Sequence, residues 1–534
     1  MKKWVGILLI IFVFLSLFLN VVYSNSTPPC LNADEAAFGY NAYSIIKTGK
    51  DEYGQLLPLR FKSFGDYKMP LYSYLSIPFI ALFGLNDFGV RALNLFASAF
   101  FPIVVYFLSK ELFNDKRISL IAAFLTSISL GLHIVGRQAH EAYITALFIT
   151  LSSLFFLKSL KNPNKKNKFF FLLFILFSLF GYQSSRLFAL LFLTILFFNS
   201  FKNHRWDIFF ILSFCSVILF FSITDFVYQP TRIKNLFFLN NIGFNLKIDE
   251  LRAEGGNRLL YNKLTEGVKE AVFKYLQHLS PQFLVTNGDG NYRFGYPELS
   301  LVTITEFFLI FLGLYFLFKN KEKWRFFILS LLFASPLSSS LSWAEPSITR
   351  SLFFLIPIIV TIAYGAFHLL NTIPPRYFPI VSGVLILSFV FFSYSNWDFY
   401  FFHYSKKAQV IRSWQCGNKE MADYVKNNYH RFDRFYITRK NGQPYIFLLF
   451  YLHYPPSSYQ KEAFLSAPDE FGFGQVEKFD KFIFSFQIPQ KEKRVALIGY
   501  ADDFPNPPNN IFEPSRIKKI KVGEQEIFWI YEIL

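Results

Sequence analysis

Two adjacent carboxylates, Asp34 and Glu35, follow directly on an apolar segment in the run Asn32-Ala33-Asp34-Glu35-Ala36-Ala37-Phe38. A polar, aromatic stretch carries the chain to Lys68-Met69-Pro70, and Arg91 opens the next long apolar run. A carboxylate can take the proton of an attacking hydroxyl, and Lys or Arg can hold a phosphate. Acids and cations brought to one membrane boundary by one loop suit chemistry on a lipid-borne anion. A second set of polar residues comes later. Glu141 ends Gly136-Arg137-Gln138-Ala139-His140-Glu141, Arg186 ends Gly181-Tyr182-Gln183-Ser184-Ser185-Arg186, and Arg350 follows a further apolar run. Each has a plainer reading. The acid pair can be solvated, Glu141 can serve a helix N-terminus, Arg137 and Arg186 can face headgroups, and Asp289 suits a turn. Arg91 and Glu306 are harder to dismiss, because a charge at or inside an apolar run is costly unless it faces protein.

The elements that must position these residues are membrane helices. The chain has 534 residues, 53% hydrophobic and 21% aromatic, with 73 Phe and a mean hydropathy of +0.30. Runs long enough to cross hydrocarbon recur along most of it. Eleven segments read as spans: Trp4–Tyr23, Ala92–Ser109, Ile118–Val135, Ala142–Leu157, Phe169–Phe180, Leu187–Phe201, Ile208–Ile223, Leu299–Phe318, Phe326–Leu341, Ser351–Leu370 and Phe378–Ser395. The first is too long for a signal-peptide core and has no small-x-small cleavage site after it, so a retained anchor is expected. Leu71–Leu85 is short and holds Pro78, which suits a re-entrant or interfacial helix.

The net charge of +17 lies largely in short connectors such as Lys158–Lys168, as the positive-inside rule requires. That placement excludes a nucleic-acid reading, which needs a basic stripe on a recognisable fold. It also puts the N-terminus in the cytoplasm and the loops 24–91 and 224–298 outside. From residue 397 the apolar runs shorten to strand length: Arg434–Thr438, Tyr445–Leu452, Lys481–Phe486, Val495–Tyr500 and Glu526–Tyr531, with a helix over Lys419–Tyr429. The expected organisation is a membrane domain over 1–396 and an external α/β domain over 397–534. Cys30 and Cys416 both fall outside, which leaves a disulfide between them open but unsupported, and three unpaired cysteines are the plainer expectation.

Asp34-Glu35-Ala36, Tyr67-Lys68-Met69-Pro70-Leu71-Tyr72, Phe83-Gly84 and Val90-Arg91-Ala92-Leu93 resemble the first-loop pattern of the GT-C membrane glycosyltransferases. The resemblance is to the protein O-mannosyltransferase and aminoarabinose transferase branch, glycosyltransferase family 39 and its bacterial relatives. Glu141 stands where that family has a second acid, and the 181–186 and 288–293 stretches resemble its later loops. Lys-Met-Pro replaces the usual Lys-Pro-Pro. The resemblance covers roughly residues 1–370; the C-terminal domain matches no motif.

It implies an all-α polytopic enzyme of the plasma membrane that moves one sugar from a polyprenyl-phosphate donor to a protein, lipid or glycan hydroxyl on the external face. Asp34 would be the base, with Glu35 and Glu141 as further catalytic acids. Lys68, Arg91, Arg186 and Arg350 would bind the donor phosphate. His140 with Glu141 could hold a divalent ion or orient the acceptor. Rival readings are an oligosaccharide transferase or polymerase on the same scaffold, and a lipid-linked sugar flippase. A flippase should carry charge near the bilayer midplane. Here most spans carry none, and the polar clusters gather at one face.

Overall fold

The computed structural model describes residues 2–64, 66–203, 208–228, 239, 242–342, 346–467, 474–486, 492–504 and 516–534. The chain forms two compact units. One joins Met1–Val22 to Asn94–Tyr400, and the other joins Tyr23–Leu93 to Phe401–Leu534.

The first unit is helical. Its opening helix α1 (Lys2–Val21) is inside out: Trp4, Phe14 and Phe18 are exposed while Ser16 and Asn20 are buried. That is the pattern of a helix facing lipid, where only the protein side can satisfy polar groups. Helices α2 (Ala33–Thr48), α3 (Leu71–Phe83) and α4 (Asp87–Ala97) come next in the chain; α5 (Phe101–Phe113), α6 (Lys116–Ile128), α7 (Leu130–Gly136) and α8 (Glu141–Lys161) follow. Ser16 Oγ donates to the carbonyl of Ser98 at 2.9 Å, and the Asn20 amide lies 2.6 Å from His133 Nδ1 on α7. Helices Ile304–Lys319 and Leu355–Thr372 approach each other through Gly313 and Gly365. A Cβ on Gly313 would sit 2.2 Å from the Thr361 carbonyl oxygen, so only glycine permits the contact.

Among the described residues five helices are long and apolar enough to cross a membrane: Lys3–Val21, Asp87–Phe113, Glu141–Lys161, Ile348–Thr372 and Phe378–Lys406. A sixth is added if α6 and α7, bent by 49° at Ser129, count as one span. Leu71–Phe83, Ser185–Phe198 and Arg325–Ser340 are apolar but shorter. Part of the connector expected at Lys202–Arg205 lies outside the described residues.

The second unit combines the first loop with the C-terminal chain. Strands β1 (Phe61–Ser63) and β2 (Asp66–Lys68) form a hairpin pairing Phe61 with Lys68. The C-terminal sheet has seven strands: β3 (Arg434–Ile437), β4 (Phe464–Leu465), β5 (Val476–Phe479), β6 (Phe482–Ile483), β7 (Val495–Gly499), β8 (Lys518–Val522) and β9 (Gln525–Ile533). Their order is β4-β5-β6-β3-β7-β9-β8, parallel at β6-β3-β7 and antiparallel elsewhere. The mostly helical chain with a small C-terminal sheet agrees with the sequence reading.

Two expectations are corrected. Tyr445–Leu452 is not a strand: Pro444–Tyr451 is a helix, buried from Pro444 to Phe450. A short continuous apolar run carries no period that separates the two states, and Pro444 at the first helical position favours the helix. The cysteines are also not all free. Cys30 and Cys416, 386 residues apart, form a disulfide, and Cys215 alone is a thiol. Closing so long a loop restricts the unfolded chain, and removing such a bond typically costs about 2–5 kcal/mol. Cys30→Ser with Cys416→Ser should therefore lower the apparent Tm of the purified protein. A linked Cys30–Cys416 peptide should appear in unreduced digests and vanish on reduction; its absence would refute the bond.

Candidate active site

The acid pair sits at the start of α2, where unpaired backbone N–H groups need acceptors. Asn32 is the N-cap, its Oδ1 accepting from the N–H of Asp34 at 2.9 Å and of Glu35 at 3.1 Å. Glu35 completes a capping box by accepting from the Asn32 N–H at 3.2 Å. The two acids then diverge. Glu35 is buried, its Oε1 2.8 Å from Arg91 Nε and its Oε2 2.9 Å from Arg91 Nη2. Arg91 Nη2 also donates to the Cys30 carbonyl at 2.6 Å, and the guanidinium lies over the Trp414 ring. The partner that Arg91 needs is therefore Glu35, in a fork of two parallel bonds.

Asp34 points the other way. Its side chain is 42% exposed, and Oδ1 receives Lys68 Nζ at 2.7 Å. The Lys68 side chain is 13% exposed, and its ammonium lies 4.8 Å from the ring centres of both Phe38 and Phe64. Two aromatic faces and one carboxylate thus fix a cation at the end of β2. The disulfide and a hydrogen bond from the Ala33 N–H to Gln415 Oε1 (3.0 Å) tie this helix start to the C-terminal chain.

The later motifs converge within the helical unit. Glu141 is the first residue of α8, capped by His140, whose Nδ1 accepts from the Ala142 N–H at 3.1 Å and lies 3.8 Å from the Glu141 carboxylate. The His140 ring meets Tyr182 of the 181–186 tip and Phe294, while the Gln138 amide donates to the Arg293 carbonyl at 3.0 Å. Asp289 forms the expected turn to the Asn291 N–H and also accepts from the Ile348 N–H at 2.7 Å. Its burial holds the carboxyl above the usual carboxylate range. Arg350 donates to Ser342 Oγ at 2.6 Å and lines a small cleft with Thr145, Ser184 and Phe188. Arg186 stands in the first turn of helix Ser185–Asn203, between the cleft-lining Ser184 and Phe188 in sequence.

Arg137 does not face headgroups. It is buried and donates to the carbonyls of Leu19 and Val22, closing the C-terminal end of α1. Glu306 is likewise used locally, in a capping box with Thr303. Among the described residues no three His, Cys, Asp or Glu side chains group to hold a metal ion, and His140 with Glu141 stands as a pair.

Asp51 and Glu52 are buried acids that carry no sequence signal. Glu52 is fully enclosed, although Asp51-Glu52-Tyr53-Gly54 has the composition of a solvated turn. Its Oε1 accepts from the Tyr445 hydroxyl at 3.3 Å. Burial, reinforced by neighbouring Asp51, pushes the carboxyl up to about 8.

Comparison with known proteins gives the geometry a context. Residues 3–245 match the family Dolichyl-phosphate-mannose-protein mannosyltransferase. No curated protein matches the chain in sequence. The fold resembles ArnT from Cupriavidus metallidurans in the apo state, with a TM-score of 0.56 at 12% identity, covering 99% of this chain and 98% of that one. ArnT bound to undecaprenyl phosphate gives 0.55 at 11% identity. The oligosaccharyltransferase of Archaeoglobus fulgidus, tethered to an acceptor peptide, gives 0.50 at 14% identity over 85% of this chain. This chain spans only 63% of the archaeal enzyme's length. The family model thus matches the stretch that holds the acid pair, Lys68 and Arg91, and the fold resembles that of ArnT from end to end.

Proposed function

We propose that this enzyme moves one sugar from a polyprenyl-phosphate carrier to an acceptor hydroxyl on the external face of the plasma membrane. The observation that carries the reading is the Asp34–Lys68 pair, an accessible carboxylate beside a caged ammonium in a single loop. Asp34 takes the acceptor proton as the acceptor oxygen attacks the anomeric carbon. The bond from that carbon to the phosphate oxygen breaks, and the electron pair leaves on the lipid phosphate. Lys68, released from Asp34, stabilises that charge. A single displacement of this kind inverts the anomeric centre.

Glu35 and Arg91 hold the loop in shape through their mutual fork. Glu141, Arg186 and Arg350, all in the helical unit, are the further residues that this reading gives to the reaction. The matched family is named for a protein acceptor, which favours a protein hydroxyl over a lipid or glycan. In this reading the bent pair α6–α7 and the helices Lys165–Gly181, Ser185–Asn203, Ile208–Tyr228, Ile304–Lys319 and Arg325–Ala334 also cross, giving about eleven spans with a cytoplasmic N-terminus. Residues 1–396 form the catalytic membrane domain, and 397–534 form an external domain.

Undecaprenyl phosphate, the ligand of the ArnT structure, is the probe that tests the donor class. A charge-assisted hydrogen bond contributes about 1.5–3 kcal/mol, so Lys68→Met should weaken its binding about 10- to 100-fold, measured by calorimetry in detergent. Unchanged affinity would remove Lys68 from the phosphate site.

A further inference from the structure

Helix Lys263–His278, in the helical unit, is inverted for a helix in water. Glu266, Lys274 and His278 are buried, whereas Leu264, Val268, Val272 and Leu276 are each more than half exposed. Three steps of four residues turn through roughly 120°, so these four form one continuous apolar stripe. Lys263, Glu270 and Gln277, spaced by seven, mark the opposite side. The preceding helix Ile242–Ala253 packs Phe244 and Ile248 against Ala271, and Lys247 Nζ reaches the Glu270 carboxylate at 3.3 Å. The two helices thus form a hairpin, on which Ile242, Leu246, Leu259 and Leu260 are exposed as well. Apolar side chains exposed together in this way mark an interaction surface.

What covers this surface follows from where it is fastened. The Tyr275 hydroxyl donates to the Phe333 carbonyl at 3.0 Å, and Lys274 Nζ donates to the Ser342 carbonyl at 3.1 Å. Both acceptors lie at the end of the apolar helix Arg325–Ser340. Phe333, Leu337 and Leu341, again four apart, are exposed and lead along that helix to the same end. In a chain with five helices long and apolar enough to cross a membrane, such a stripe faces acyl chains, and the hairpin continues it. Over residues 242–278 six Lys or Arg offset five Asp or Glu, so apolar burial rather than attraction to anionic headgroups supplies the affinity. Ser342 is also the partner of Arg350, which sets the hairpin level with that residue. We propose that residues 242–278 lie in the membrane surface, with the stripe from Leu264 to Leu276 sunk among the acyl chains of one leaflet. Lys263, Glu270 and Gln277 face water. The inference needs a chain embedded in a bilayer; it does not need the sugar-transfer reading.

The full chain reconstituted in phosphatidylcholine vesicles tests this. Cys215→Ser gives a background whose other cysteines are held in the disulfide. Single nitroxide labels are then placed at Leu264→Cys, Val268→Cys, Val272→Cys, Leu276→Cys and Lys263→Cys. Power saturation compares collisions with oxygen, which concentrates in hydrocarbon, and with a water-soluble nickel chelate. The four stripe labels should meet oxygen several-fold more than the chelate, at a depth of about 5–10 Å. The Lys263→Cys label should show the reverse. Stripe labels dominated by the chelate would overturn the proposal. Stripe labels screened from both reagents would overturn it too, because a second copy or another protein would then cover the face. Val268→Asp with Val272→Asp alters exposed positions alone. It should move the Leu264→Cys label towards the chelate; unchanged oxygen contact would show that the stripe does not hold the helix in lipid.

Discussion

Asp34→Asn is expected to reduce sugar transfer by about 10²- to 10⁴-fold, the usual contribution of a general base. The substitution keeps shape and size, and Asn32 rather than Asp34 caps α2. The lost ion pair to Lys68 is partly exposed, so its removal should cost no more than about 1 kcal/mol. The assay is sugar release from a panel of radiolabelled polyprenyl-phosphate sugars by purified protein, with apparent Tm measured in parallel. An inactive variant of unchanged Tm assigns the proton transfer to Asp34. Full activity in Asp34→Asn would move the base to Glu141, whose carboxylate stands near His140 in the other unit. It would not move it to Glu35, whose oxygens are committed to Arg91 and the Asn32 N–H.

The Glu35–Arg91 pair predicts the opposite kind of loss. Both side chains are buried, and removing one partner of such a pair strands a charge in the interior at about 3–5 kcal/mol. Arg91→Met leaves the Glu35 carboxylate without its counter-charge and frees the Cys30 carbonyl. Glu35→Gln leaves the guanidinium instead. Each single variant should lower apparent Tm clearly and reduce folded yield. The double variant should recover part of the loss, because no charge is then stranded. Three variants as stable as wild type would show that the pair does not hold the loop. A fall in turnover without any fall in Tm would return Arg91 to the substrate.

Neither outcome could have been chosen from the first loop alone. Asp34 and Glu35 are neighbours of the same charge, and spacing gives both an equal claim to chemistry. Helix geometry separates them. The third helical position turns Glu35 back onto its own cap and toward Arg91, while the second turns Asp34 out to Lys68. The same limit applies to Glu52, whose loop reads as solvated until Tyr445, 393 residues on, closes over it.

By itself the sequence determined the features that depend on near neighbours. Apolar run length marks membrane helices such as α1, the cost of an apolar-run charge requires a partner for Arg91, and shortened runs after residue 397 announce the C-terminal sheet. These signals lie within one window because hydrocarbon thickness, helix period and strand alternation are local constraints. The tertiary structure alone decided the Cys30–Cys416 bond, the choice of Glu35 for Arg91 and the burial of Glu52. The disulfide, the Arg91 partner and the Glu52 burial each depend on residues far apart in the chain meeting in one compact unit, whereas the helix at Pro444–Tyr451 was open to a local signal, Pro444 at its first position.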